Sequence, residues 1–409
     1  MRTFKASPTL ARVLKGELCS GCGLCAGVAG GAVALTTVAP GYRRPEVIAP
    51  LSPAAERTVA LACPGARVAP WQPEPGAHHH PYWGPYRAVA TGYATDAEVR
   101  HRSSSGGALS ALLIHALESG QVDRVLHVAA DPELPTRNRL TVSRTRDEVL
   151  DGAGSRYAAS SPLESIDAAL GEGGRMAFVG KPCDISALRQ LGRADARVAA
   201  VVPLMLSFFC GGLPSHAGAD RIVRAMGFDP AEVAHFRYRG NGWPGLTRAE
   251  THDGRVGEMR YEDSWGRHLS REIQYRCKIC PDAVGGVADV AAADAWYGGE
   301  RGYPEFDEQD GRSLVVTRTA TGAALVEAAA AAGGIALAPL AVEEIDLMQP
   351  FQARRKRLVA SRLAAAAATL QPRPDMRGVA VGEAARHAGA GETARNFLGS
   401  VRRIVQGRR

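Results

Sequence analysis

Three neighbouring stretches decide the fold: "RAVATGYAT" (87–95), "GALSALLIHALESG" (107–120) and "VDRVLHVAA" (122–130). The outer two are apolar and carry the β-branched residues of strands, whereas the middle one repeats its apolar positions at helical spacing. The theme returns after a second helix-like segment, with "RMAFVG" (175–180) and "AVVPLMLSFFC" (200–210). Alternation of this kind from residue 86 to about 340 predicts a mixed α/β core, the α/β (α+β) class.

Working outward, residues 1–70 are rich in cysteine and glycine and show little helical periodicity. Between them and the core lies "PWQPEPGAHHHPYWGP" (70–85), whose prolines and glycines read as a linker over 71–85, with His78, His79 and His80 as a solvated loop rather than a metal site. Residues 341–409, including "LVASRLAAAAATL", read as a mainly helical C-terminal segment. No internal repeat is visible.

The chain has 409 residues, enough for two or three domains, and its 45 % hydrophobic and 22 % charged content is that of a folded globular protein. The longest apolar run, Val198 to Leu213, is broken by Pro203 and falls short of the ~20 residues that cross a bilayer. "MRTFKASPTLARVLKGELC" lacks the continuous apolar core of a signal peptide, so the sequence predicts a cytoplasmic protein without a transmembrane segment. In that reducing setting eight cysteines suit metal ligands or catalytic thiols better than disulfides. The net charge of +7 gathers partly in "ARRKRL" and "RRIVQGRR", but with 6 % aromatics and no basic stripe interleaved with them, nucleic acid is not an expected partner. An acidic protein partner fits the charge as well as a solvated surface does.

"CSGCGLC" places Cys19, Cys22 and Cys25 in the C-x-x-C-x-x-C run that wraps three corners of a 4Fe-4S cube, because glycine turns point successive thiolates inward. Position 29 is Ala29, so the fourth cysteine of a two-cluster ferredoxin is missing, and Cys63, followed by Pro64, is the expected fourth ligand. Zinc also accepts four thiolates, although its sites usually draw on two separated pairs. Cys183 in "GKPCD", Cys210 in "FFCGG" and the pair Cys277 and Cys280 in "YRCKICPD" remain, four ligands for a second cube. Two of them follow predicted strands, at the edge where α/β sheets hold ligands. Cys183 beside Lys181 also reads as a reactive thiol, and Cys277 with Cys280 as a redox dithiol.

"RSSSGG" (102–107) sits directly ahead of a helix beginning near Ala108. Hydroxyls and amides at a helix N-terminus make an anion pocket, or equally an ordinary serine cap. "GSRYAASS" (154–161) adds further hydroxyls and an arginine. Neither a G-x-G-x-x-G after a strand nor a G-x-x-x-x-G-K-[ST] occurs.

In order and rough spacing, "CSGCGLC", "RSSSGGALSALL", "GSRYAAS", "FVGKPCDISAL", "FFCGG", "CKICPD" and "ADVAAADAWYG" resemble the coenzyme F420 hydrogenase/dehydrogenase beta-subunit family over about residues 15–300. That family includes plant-type 7-hydroxymethyl chlorophyll a reductases and cyanobacterial-type divinyl reductases. The resemblance implies an iron–sulfur flavoprotein oxidoreductase: a ferredoxin-like 4Fe-4S domain over 1–70, and an α/β domain over 86–340 holding FAD and a second 4Fe-4S cluster. Ser103, Ser104, Ser105, Gly106 and Gly107 would line the FAD, with Ser155, Tyr157 and Lys181 nearby. Lys181 is the one catalytic candidate beside the flavin.

Two functions follow. In the first, the chain is a complete reductase that passes electrons from a ferredoxin-like donor through two clusters to FAD and on to a small organic substrate, conjugated or of deazaflavin type. In the second, it is an electron-transfer beta subunit serving a separate catalytic chain, as a partner subunit or a homo-oligomer. A zinc-bound structural protein is the third reading.

Overall fold

The computed structural model describes residues 6–298 and 304–407. Residues 1–5, at the head of the stretch read for a signal peptide, and Arg408 and Arg409, which close "RRIVQGRR", lie outside them.

An eight-stranded sheet forms the centre. Its strands are β1 (Ala88–Ala94), β2 (Arg124–Ala130), β3 (Asn138–Ser143), β4 (Met176–Gly180), β5 (Leu204–Phe208), β6 (Val290–Asp294), β7 (Ser313–Thr317) and β8 (Ile335–Pro339). They lie side by side in the order β8-β1-β7-β6-β5-β4-β2-β3. The four central strands, β2, β4, β5 and β6, run parallel, and the flanking pairs are antiparallel. The mixed α/β reading holds at this level. β4 and β5, in the parallel centre, are buried along nearly their whole length and almost wholly apolar, as parallel strands between covered faces are.

The parallel centre decides where chemistry is placed. β4 ends at Gly180, two residues short of the helix that carries Cys183, and β5 ends at Phe208, two residues before Cys210. β6 ends at Asp294, just ahead of Trp296. All three therefore deliver polar or thiol side chains to one edge, the carboxyl ends of parallel strands.

Residues 6–70 differ from the expectation of little helix. Helices span Pro8–Lys15 and Pro53–Ala62, each opened by a serine whose hydroxyl accepts an N-terminal amide and by a proline in the first turn. The Ser-Pro starts at Ser7 and Ser52 were the available signal, since proline at the first helical position costs no hydrogen bond.

The stretch read as a linker is packed. His78–His80 pairs with Gly84–Tyr86 as a short hairpin, while Trp71, Tyr82 and Trp83 are buried. Trp83 stacks on Phe209, with ring centroids 5.8 Å apart, and its indole N–H donates to Asp346 Oδ1 at 2.8 Å. Aromatic burial therefore overrides the turn-forming composition. His78 and His79 are exposed, whereas His80 is half-buried and its Nδ1 accepts from the backbone amides of Tyr82 and Trp83.

Beyond residue 344 the chain is mainly helical, with helices at Pro350–Arg357, Val359–Ala368 and Ala390–Val405. It is not an appendage. Val68 N–H donates to Asp375 O, Asp375 N–H returns to Ala66 O, and Trp71 N–H donates to Gly378 O. One apolar core joins Leu10, Val59, Val89, Leu314, Val359 and Ala384, residues from all three zones of the sequence. Among the described residues no helix is long and apolar enough to cross a membrane.

Candidate functional site

Cys19, Cys22 and Cys25 follow one another around a loop turned by Gly21 (φ 80°) and Gly23 (φ 88°), left-handed values that glycine alone adopts readily. At Gly23 a side chain would also strike the Glu164 backbone nitrogen at 2.7 Å. Cys63 caps the helix Pro53–Ala62 from its C-terminal end. All four thiols are buried and free. Burial first, then the neighbouring sulfurs, raises the Cys22 and Cys25 thiols, and the same causes lift Cys63 to about 11. Cys19 is raised by burial and partly relieved by Arg44.

Cys183, Cys210, Cys277 and Cys280 line one small cavity of about 20 Å³, together with Lys181, Arg276 and Arg355. Each is half-buried and free. Cys183 and Cys280 are raised chiefly by burial, and Cys210 is pushed up to about 12 by burial and by Cys277. Two polar hydrogens already point at Cys277 Sγ: Leu213 N–H at 3.4 Å and the Gln274 amide at 3.5 Å. The structure thus brings together, as two sets, all eight cysteines singled out in the sequence.

The two sets adjoin. The Gln274 amide that reaches Cys277 also donates to the carbonyl of Ser20, inside the first cysteine loop, at 3.3 Å. Its oxygen accepts from Arg44 at 2.9 Å. Arg276, 2 % exposed, donates twice to the Pro64 carbonyl, next to Cys63, at 3.0 and 3.2 Å. Its positive charge acts on Cys19 and Cys63 in one set and on Cys183, Cys277 and Cys280 in the other. A buried cation beside both sets would offset the repulsion among their sulfurs once these ionise to bind metal.

The residues expected around a flavin separate into groups. Ser103 Oγ donates to Val99 O at 2.7 Å, and Ser105 Oγ to Arg312 O at 2.8 Å, so both hydroxyls are engaged by backbone. A Cβ on Gly106 would stand 2.6 Å from both Gly92 O and Ser313 N, so that glycine is needed for contact with β1 and β7. Gly107 (φ 77°) opens the helix Ala108–Glu118 without a side-chain cap. Ser104 Oγ accepts from Ser155 N–H, and its carbonyl accepts from Arg239 at 2.7 Å. Tyr157 lies against Trp265 and Tyr238. Lys181 stands apart from these, in the second cysteine cavity. Its ammonium pairs with Asp184 at 2.7 Å and donates to Ser160 at 3.2 Å. Burial would depress Lys181, but Asp184 and the Cys183 thiol outweigh it and raise the group.

The segment 154–161 connects these groups. Ser155 meets the serine–glycine loop, Ser160 meets Lys181, and Ser161 Oγ donates to Gly21 O at 2.9 Å. Sequence reasoning missed the pair at its middle. Arg239, 1 % exposed, binds both oxygens of Asp294 at 2.9 Å, and Trp243 Nε1 donates to the same carboxylate at 2.8 Å. Trp243 stacks on Trp296 with centroids 4.8 Å apart, and the Arg239 guanidinium lies over Tyr261 at 4.5 Å. The dense run "RYRGNGWPG" (237–245) was the signal available.

Among the described residues, no group of three or more histidine, cysteine, aspartate or glutamate side chains is placed to hold a metal ion.

A mixed sheet with a parallel centre, ending on four cysteines with four more beside them, defines a cysteine-rich α/β protein. Comparison with known families agrees: residues 89–167 match "Coenzyme F420 hydrogenase/dehydrogenase, beta subunit N-term", and residues 173–343 match the C-terminal half of the same beta subunit, together over half of the chain. The chain belongs to the coenzyme F420 hydrogenase/dehydrogenase beta-subunit family. The matched stretches contain Cys183, Cys210, Cys277 and Cys280, while Cys19, Cys22, Cys25 and Cys63 precede them.

Among its relatives is the coenzyme F420 hydrogenase subunit beta of Methanococcus voltae, 28 % identical over 279 residues, which cover 66 % of this chain and 88 % of that protein. The F420-dependent formate dehydrogenase subunit beta of Methanocaldococcus jannaschii is 25 % identical, covering 54 % of this chain and 57 % of the other. In fold, a chain of the F420-reducing (NiFe) hydrogenase complex from Methanosarcina barkeri superimposes with a TM-score of 0.53 at 24 % identity, over 68 % of this chain and 91 % of that one.

Proposed function

We propose that this chain is the electron-transfer subunit of a multi-subunit oxidoreductase, holding two 4Fe-4S clusters and a flavin and exchanging electrons with a deazaflavin such as coenzyme F420. The observation that carries the reading is the convergence of two four-cysteine sets through Gln274 and Arg276 at the carboxyl ends of the parallel strands. The relatives are named as beta subunits of hydrogenases and formate dehydrogenases, which favours a subunit over the self-contained reductase.

Cys19, Cys22, Cys25 and Cys63 would hold one cluster, and Cys183, Cys210, Cys277 and Cys280 the other. Four thiols converging on one cavity supply the four thiolate corners that a 4Fe-4S cluster takes. Metal binding would release protons from these sulfurs, because the thiolate is the ligand. Ser104, Ser155, Tyr157 and Arg239 form the group best placed to meet a flavin, with Asp294 fixing the Arg239 guanidinium. When bound, clusters supply single electrons and flavin joins them into pairs for hydride chemistry. The chain's own part is to hold these groups near one another and to keep water from the space between, which Arg276 and Gln274 fill.

The test is direct. Anaerobically reconstituted protein, reduced and freed of excess reductant, is expected to bleach the deazaflavin band of coenzyme F420. Full cluster and flavin content with a viologen dye reduced normally and coenzyme F420 untouched would contradict the deazaflavin assignment.

A further inference from the structure

The matched family stretch ends at residue 343, yet the helices beyond it reach back onto the second cysteine cavity. From the helix Pro350–Arg357, Arg355 lines that cavity and donates through Nη1 to Cys210 O at 3.1 Å and through Nη2 to Gly211 O at 2.8 Å. Gln352 Nε2 donates to the same Cys210 carbonyl at 3.0 Å. Lys356 Nζ, buried over the Trp71 ring, donates to Pro281 O at 2.5 Å. From the next helix, Arg362 donates to Lys278 O, between Cys277 and Cys280. Three basic side chains from one segment thus grip the backbone of the loops that carry three of the four cysteines.

We propose that these C-terminal helices form a cationic latch on the second cysteine set, in which Arg355 both positions the Cys210 loop and raises the reduction potential of the cluster bound there. The inference rests on the two-cluster reading above. Reduction adds one electron to a cluster that four thiolates already make anionic, so a fixed positive charge at the cavity wall stabilises the reduced state more than the oxidised one. The hydrogen bonds to the Cys210 and Gly211 carbonyls hold the ligand loop in place. Lys181 cannot supply this charge alone, because Asp184 at 2.7 Å balances it, and Arg355 adds its charge to that of Arg276 on the same cavity.

Arg355→Gln and Arg355→Lys, compared in the reconstituted protein, separate charge from shape. An EPR-monitored redox titration resolves the clusters, and the signal missing from Cys280→Ala identifies the second one. Arg355→Gln is expected to keep full iron and shift the reduction equilibrium of that cluster about tenfold toward the oxidised form, ~59 mV for a one-electron couple. Arg355→Lys should restore most of the shift. If Gln and Lys behave alike, by leaving the potential unmoved or by losing iron together, the latch carries no charge effect and the inference fails while the two-cluster reading stands. If the unsubstituted protein holds only one cluster, both fail.

Discussion

Cys280→Ala is expected to remove about four of about eight irons per chain, leave the cluster on the N-terminal run in place, and stop electrons from passing between that cluster and flavin. The expectation follows from placement. Cys280 lines the cavity with Cys183, Cys210 and Cys277, its thiol donates to Asp282 O at 3.3 Å, and no cysteine of the other set lines that cavity. Alanine takes away one of four corners without touching the helix Pro53–Ala62 or the glycine-turned loop that hold Cys19, Cys22, Cys25 and Cys63. Two further readings are tested by the same variant. A redox dithiol would lose only a thiol-dependent activity and keep full iron, and a reactive Cys183 would remain reactive.

The second large effect is one of stability. Asp294→Ala leaves the Arg239 guanidinium, 2 % exposed at its side chain, without its carboxylate. Removing one partner of a buried, bidentate pair typically costs about 3–5 kcal/mol, because the remaining charge stays desolvated. Trp243 loses its acceptor as well, which adds to the loss. Urea unfolding should show a midpoint lowered accordingly. Asp294→Ala combined with Arg239→Met should recover part of the loss, since no buried charge then remains. A single-variant loss below about 1 kcal/mol would mean that water reaches Arg239 and that the pair does not organise this edge of the sheet.

How much of this was legible follows from which signals are local. The strands and helices of residues 87–130 and 175–210 were readable because each is set by periodicity over a few residues, although the strand read over 200–210 is confined to Leu204–Phe208 and is preceded by the helix Arg197–Val201. The C-x-x-C-x-x-C run was readable because its chemistry and its spacing are local too. The hairpin at His78–Tyr86 was not, because its order comes from Trp83 packing on Phe209, more than a hundred residues away. The helices at Pro8 and Pro53 were legible in their Ser-Pro starts, but composition obscured them. In the serine–glycine loop, glycine and serine announced a ligand, whereas Gly106 is set by contact with two strands and two of the three hydroxyls by neighbouring carbonyls. The Arg239–Asp294 pair joins residues 55 apart, and the grip of Arg355 on Cys210 joins residues 145 apart. Only the folded sheet brings such partners together.

The central claim is that eight thiols form two cluster sites in one redox chain, and its most direct test is the iron, acid-labile sulfide and flavin content of anaerobically purified protein. About eight irons, a matching amount of sulfide and one flavin per chain are expected. Fewer than about three irons after anaerobic reconstitution, or a stoichiometric colourless zinc protein, would contradict it.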